Sequence, residues 1–365
     1  MTGDGPLAAS GPYAEWQPAL DRLAGVTGVV LLAGGTDTGK TTFTRLLANS
    51  AAQLGRQVSV VDGDLGQSEI GPPTCVSLAD CIQPGEALSD ASPSVVRFVG
   101  TTSPASVPLD YAVAVKRAVD TSTGELTIVD IGGYISGAGA RHLFRELCSL
   151  IRPASVAAFQ RASEAEPMVG AGAADCGEVV RLTVPACIAR RPPVYRAQRR
   201  AARFGSYFAG AQEAVFHFDE VRLENTWLGS GVSLPAHLLR FASQTLASEA
   251  RVFYAETAGS HLRLMVNRPL RDDSPLLGLV QAQLRAESVT VSLAPRLKHL
   301  IVGLEAERGG LLGLGLIEAI DFRRRTVGVL TPVRAPGAAK VVRLGLHRIQ
   351  PDGREIGTLR AGEME

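Results

Sequence analysis

Lysine is almost missing from this chain, with four residues against thirty-three arginines among 365. Neither an Asn-Lys-x-Asp guanine-reading sequence nor a lysine among Gly34 to Gly39, just before Lys40, is present, which argues against the nucleotide-switch GTPases and ATPases. Five cysteines (Cys75, Cys81, Cys148, Cys176, Cys187) lack C-x-x-C spacing, so neither a disulfide framework nor a zinc site is expected. The six histidines show no metal-like spacing and no Ser/His/Asp arrangement stands out. No apolar run reaches the length of a membrane span, and Met1 to Leu7 lack the charged and apolar regions of a secretory signal, so the expected location is the cytoplasm. A formal net charge of +1 leaves no overall field for a polyanion, so any such partner must be met by a local patch. No repeat period or low-complexity tract occurs, and 45% hydrophobic with 20% charged residues is ordinary for a soluble protein large enough for two domains.

One of the four lysines, Lys40, lies in Gly34-Gly35-Thr36-Asp37-Thr38-Gly39-Lys40-Thr41, which fits G-x-x-x-x-G-K-[ST]. An apolar run, Gly28-Val-Val-Leu-Leu-Ala33, precedes it as a buried strand, and Thr42 to Leu54 follow with helical spacing. The chemistry needs these types. Glycines let successive N–H groups of Gly35, Thr36, Asp37, Thr38, Gly39 and Thr42 converge on phosphate oxygens, the ammonium of Lys40 meets the β- and γ-phosphates, and the Thr41 hydroxyl ligates Mg²⁺. A nucleoside triphosphate site is the direct implication.

Strand and helix patterns then alternate, as a parallel α/β sheet requires. Strands are expected at Gly28–Ala33, Gln57–Asp62, Val95–Val99, Leu126–Ile131 and Ser155–Phe159, with helices near 39–54, 109–121 and 138–151 and a short amphipathic lead-in from Tyr13 to Leu23. Glu164 to Gly177 reads as a loop. The fold class is therefore an α/β P-loop domain over 1–220, with a lid at about 178–212, followed by a small, mostly β domain over 222–365. Loops at the carboxyl ends of parallel strands share one cleft. Val60-Val61-Asp62-Gly63-Asp64-Leu65-Gly66-Gln67 ends the second strand there, and of its two acids one can hold Mg²⁺ while the other takes a proton from an incoming hydroxyl. Ile128-Val129-Asp130-Ile131-Gly132-Gly133-Tyr134 supplies a Walker-B-type carboxylate in Asp130, a backbone N–H at Gly133 for a γ-phosphate, and an aromatic ring, Tyr134, that either stacks on a base or caps the core. Val179 to Gln212 carries seven arginines and no acid, and from Pro193 it reads as a helix. Without acidic neighbours its guanidinium groups suit a closing lid over the γ-phosphate, with Arg199 and Arg203, four apart on one face, as the first pair and Arg196 and Arg200 as the next.

Taken in order, Thr-Asp-x-Gly-Lys-Thr, Asp-x-Asp-x-Gly-Gln, the strand ending Gly-Gly-Tyr, and the arginine helix finishing Arg203-Phe-Gly-Ser-Tyr207-Phe208 resemble the Clp-type polynucleotide 5′-hydroxyl kinases. Leu297-Lys-His-Leu-Ile-Val-Gly-Leu304, Gly313-Leu-Gly-Leu-Ile317 and Ile320-Asp-Phe322 are similar to that family's carboxyl-terminal β domain. The resemblance implies transfer of the ATP γ-phosphate to the 5′-hydroxyl of RNA or DNA. It also implies Lys40 and Thr41 as phosphate and Mg²⁺ contacts, Asp62 or Asp64 as the base, and Gln67 on Mg²⁺ or the acceptor end. The family's Thr-x-Gly-Trp clasp falls on Ile131-Gly132-Gly133-Tyr134, so the threonine is lost and the tryptophan is a tyrosine, which can still stack. The lid Arg-x-x-x-Arg is similar to Arg199–Arg203, with Arg196–Arg200 the other register. The competing reading is a nucleotide-binding scaffold or switch ATPase in nucleic-acid processing without kinase turnover.

Overall fold

A computed structural model describes residues 11–271 and 273–364, which form two compact units divided between Arg203 and Phe204. The amino-terminal stretch Met1 to Leu7 lies outside the described residues. In the first unit the elements run α1 (Gln17–Ala24), β1 (Gly28–Gly34), α2 (Lys40–Gln53), β2 (Val58–Asp62), β3 (Cys75–Ala79), β4 (Val95–Phe98), α3 (Pro108–Thr121), β5 (Leu126–Asp130), α4 (Ala138–Ile151), β6 (Ser155–Gln160), α5 (Glu166–Gly172), β7 (Val179–Thr183) and α6 (Pro193–Phe208). The sheet order is β4-β3-β2-β5-β1-β6-β7.

Each central strand is apolar on both faces because helices cover both sides of a parallel sheet. Within β1, Val30 and Leu32 face a core built with Trp16, Leu20, Phe43 and Leu47, whereas Leu31 and Ala33 face Tyr111, Val115, Phe144 and Leu147. The 2-residue alternation of the strand thus meets α1 and α2 on one side and α3 and α4 on the other. Burying a ring such as Phe43, which is fully covered, contributes about 1.5–3 kcal/mol. The register brings the ends of three strands together: Leu32 of β1 pairs with Asp130 of β5, and Asp62 of β2 pairs with that same Asp130.

Several sequence expectations change here. β3 runs antiparallel to both β2 and β4, so the sheet is mixed, and β3 and β7 were not among the expected strands. Glu164 to Gly177 is largely helical: Pro167 sits in the first turn of α5, and Met168, Val169 and Gly172 are buried on its inner side. The unit division falls inside α6, not near residue 220. Gln212–His217 (β8) pairs antiparallel with the strand over Thr326–Thr331, so backbone pairing assigns it to the second unit.

That second unit continues with β9 (Arg222–Glu224), β10 (Val232–Ser233), α7 (Ala236–Thr245), β11 (Val252–Ala258), β12 (His261–Val266), α8 (Pro275–Gln283), β13 (Ser288–Leu293), β14 (Leu300–Glu305), β15 (Leu311–Asp321), β16 (Thr326–Thr331), β17 (Val341–Ile349) and β18 (Glu355–Thr358). One sheet orders β10-β11-β12-β13, and the other β18-β17-β14-β15-β16-β8 with β9 added to β17. It is β-rich, with the two helices belonging to the region of the smaller sheet.

Candidate active site

Gly39 takes a φ of 87°, a left-handed conformation open to glycine, and hands the chain into α2 with Lys40 as its first residue. Lys40 is 6% exposed, and its Nζ donates to the carbonyls of Gly34 and Gly35, both at 2.8 Å. The Thr38 hydroxyl also donates to Gly35 O, at 2.8 Å, so the carbonyl of Gly35 belongs to the internal bonding of the loop. Thr41 Oγ1 donates to Asp130 Oδ2 at 3.0 Å, joining the start of α2 to the end of β5. Both groups are hard oxygen donors of the kind Mg²⁺ takes.

The two acids that end β2 separate into different roles. Asp62 Oδ1 accepts from the amide of Asp64 at 3.0 Å, and Oδ2 accepts from the amides of Glu69 (2.6 Å) and Ile70 (2.9 Å). Its carboxylate is thus the internal anchor of the 62–70 loop. Burial, reinforced by Asp130 beside it, pushes the Asp62 carboxyl up to about 8, while the Ile70 and Glu69 amides pull against the rise. Asp64 uses only Oδ1 in its recorded bonds, accepting from the amides of Gly66 (3.1 Å) and Gln67 (2.9 Å). Burial also raises Asp130, with Asp64 adding to the rise and Lys40 opposing it. Asp64 and Asp130 beside the Lys40 ammonium leave negative charge that a divalent cation would relieve. Thr41 and Asp130 therefore fit Mg²⁺, although no cluster of three or more His, Cys, Asp or Glu side chains able to hold a metal by itself occurs among the described residues.

A cleft of about 470 Å³ opens over the loop, lined by Thr36, Asp37, Thr38, Gly39, Lys40, Thr41, Thr42, Asp64, Gln67, Arg196 and Arg199 among others. Sequence reasoning missed further lining residues: Tyr13, Arg45, Glu69 and Arg191. Other residues singled out from the sequence do not line it. Asp62 is turned into its own loop, as described. Arg203 donates through Nη2 to the carbonyls of Glu69 (2.8 Å) and Gly71 (2.9 Å), which makes it a strut for the loop after β2. Arg200 is likewise absent from the lining. Gly133 presses on the phosphate loop from beside it: a Cβ there would lie 2.4 Å from Thr36 Cγ2 and 2.7 Å from Thr36 N, so only glycine allows this approach. Tyr134 packs partly into the core under α4, near Gly139, in keeping with the core-capping alternative for that ring.

The arginines also find acidic partners, contrary to the expectation from an acid-free stretch. Arg196 pairs with Asp37 at 3.0 Å and Arg199 with Glu69, so the counter-ions come from the phosphate loop and from the loop after β2. Gln67 Nε2 donates to Arg196 O at 3.1 Å and to Gly66 O at 2.6 Å. Beneath the site, fully buried Tyr111 lies with its hydroxyl 3.0 Å from Gly63 O and 3.1 Å from Ile131 O, bracing the ends of β2 and β5 from α3. No motif marks Tyr111; the signal is its place on the inner face of an amphipathic helix.

Residues 34–210 match the sequence model of the family described as mRNA cleavage and polyadenylation factor CLP1 P-loop. That segment, just under half of the chain, is similar to the CLP1 P-loop family. It is 29% identical over 337 residues to a polyribonucleotide 5′-hydroxyl-kinase of Thermococcus kodakarensis, covering 92% of each chain. It is 28% identical over 340 residues to a polyribonucleotide 5′-hydroxyl-kinase of Methanocaldococcus jannaschii, covering 90% of this chain and 89% of the other. Among solved structures it is similar to Clp1p in a complex with Pcf11p, with a TM-score of 0.54 at 16% identity over 92% of this chain and 78% of that one. The last likeness speaks for the CLP1 fold. No helix among the described residues is long and apolar enough to cross a membrane.

Proposed function

We propose that the protein is an ATP-dependent polynucleotide 5′-hydroxyl kinase that moves the γ-phosphoryl group of ATP to the 5′-OH of RNA or DNA. The observation that carries this reading is the convergence of Lys40, Thr41, Asp64, Arg196 and Arg199 on one cleft, with Asp130 accepting from Thr41. The names of the archaeal relatives, which align over about nine-tenths of both chains, support RNA as the acceptor.

In this site the phosphate-loop amides and Lys40 hold the β- and γ-phosphates. Thr41 and Asp130 are the groups that would hold Mg²⁺, with Gln67 near them and Asp64 left to act on the acceptor. Mg²⁺ bound there neutralises charge on the phosphate oxygens. Asp64, with one carboxylate oxygen uncommitted to the backbone, takes the proton as the 5′-oxygen bonds to the γ-phosphorus. The bond from that phosphorus to the β–γ bridging oxygen breaks, and ADP leaves. Arg199 and Arg196 cover the charge spread over the transferring group. Asp62 holds the loop that carries Asp64, and Arg203 holds that loop from the other side. Gly133 borders the phosphate loop at Thr36.

The test is transfer of ³²P from γ-labelled ATP to matched RNA and DNA oligonucleotides bearing 5′-hydroxyl ends. Label on the oligonucleotide, absent when the 5′ end is already phosphorylated, is the expected result. ATP turnover indifferent to any oligonucleotide would instead favour a switch ATPase.

A further inference from the structure

The fourth residue of the phosphate loop, Asp37, has a φ of 56° and lines the cleft, yet its acceptors face the segment that leads into α6. Its Oδ2 accepts from the Arg191 amide at 3.0 Å and from Arg196 Nη1 at 3.0 Å. Its main-chain carbonyl accepts from Arg161 Nη2 at 3.0 Å, and the same Nη2 donates to Ile188 O at 2.9 Å. Two loop positions further on, a Cβ on Gly39 would lie 2.3 Å from Ile188 Cδ1, so the 188–196 segment rests on the loop as well as bonding to it. The Asp37–Arg196 pair is largely shielded, with the side chains 13% and 25% exposed, which spares it much of the solvent screening that weakens surface pairs.

We infer that the side chain of Asp37 is a positioning group, the docking point that holds the arginine segment over the phosphate loop, and that its carboxylate, unlike the loop amides, is not a nucleotide contact. A carboxylate facing a triphosphate repels it, whereas one that engages Arg196 and the Arg191 amide fixes where the guanidinium groups of the lid stand. The inference rests on the kinase reading for its effect on rate, but its structural part does not.

The experiment uses the full-length protein with Asp37→Asn, Arg196→Gln and the double variant, and Asp37→Gly as a second probe. Asn and Gly both tolerate positive φ, so the loop conformation is kept while the charge, or the whole acceptor, is removed. Hydrogen exchange of amides 188–196 is expected to quicken in Asp37→Asn and Asp37→Gly, with nucleotide affinity unchanged. In the kinase assay Asp37→Asn is expected to lower kcat about tenfold without raising the KM for ATP, and to add less than about twofold in the Arg196→Gln background, because both changes remove one interaction. Equal exchange in all variants overturns the inference. So does a weaker ATP affinity with the same penalty in both backgrounds, which would make Asp37 a nucleotide ligand. Should the wild-type protein transfer no phosphate, the kinase reading fails, while the exchange experiment still decides the role of Asp37.

Discussion

Asp62 and Asp64 stand two residues apart in the same motif, and their substitution should separate folding from chemistry. Asp62→Ala removes the acceptor of three amides, those of Asp64, Glu69 and Ile70, at 2.6 to 3.0 Å. Asp62 is 6% exposed, so water cannot readily replace the lost partner. At about 1–2 kcal/mol for each orphaned amide, the sum is about 3–6 kcal/mol. For a unit of this size that lowers Tm by on the order of 10 °C. Asp64→Asn, by contrast, keeps Oδ1 as acceptor for the amides of Gly66 and Gln67 and changes only the charge. Its Tm should stay within about 2 °C of the parent, since conservative changes of this kind fall within about 0.5 kcal/mol. Loss of a general base costs typically 10²–10⁴-fold in kcat. Thermal melts and ³²P transfer on the same preparations make the comparison. Wild-type kcat in Asp64→Asn, or an Asp62→Ala protein that melts like the parent, would refute the division of roles.

Lys40→Ala should abolish label transfer without unfolding the protein, and transfer that survives it would remove the phosphate loop from the mechanism. Tyr111→Phe deletes the hydroxyl that braces Gly63 and Ile131; a loss of about 1–2 kcal/mol in denaturant unfolding is expected together with a lower kcat, and unchanged values for both would show that the brace is idle. Glu69→Gln releases Arg199 from its ion pair, so Arg199→Gln should cost less stability in that background than in the parent, as read by a double-mutant cycle; strictly additive effects would mean the pair does not couple. Glu166 is held down at about 2, first by its hydrogen bonds from Arg181 and then by Gln160, against about 4.3 in an unfolded chain. A carboxylate depressed in the folded state stabilises above its unfolded pKa and loses that contribution as pH falls towards 2. The Tm difference between parent and Glu166→Gln should therefore be present at pH 7 and shrink below pH 4, and a difference that grows on acidification would contradict the pairing.

The phosphate loop was legible in the sequence because its chemistry is local. A strand, a turn rich in glycine and a helix start lie within fifteen residues, and their backbone amides do the binding whatever surrounds them. For the same reason the strand ends carrying Asp62, Asp64 and Asp130 could be placed at one edge of the sheet from their patterns alone. What each of those carboxylates does was decided by tertiary contacts. Asp62 turns inward because the chain doubles back and brings the amides of Glu69 and Ile70 to it, a closure that no spacing rule encodes. The arginine stretch looked unpaired because sequence shows only neighbours along the chain, whereas Asp37 and Glu69 reach Arg196 and Arg199 from other elements more than a hundred residues away. The reversal of β3, the helix at Glu166–Gly172 and the pairing of β8 with β16 escaped for a related reason: strand direction and partner are set by backbone bonds between distant segments, and a short helix by the face it can bury. Residue order determined which groups exist and which local turns present them; packing chose their partners, because ion pairs and hydrogen bonds act through distances that only the folded chain sets.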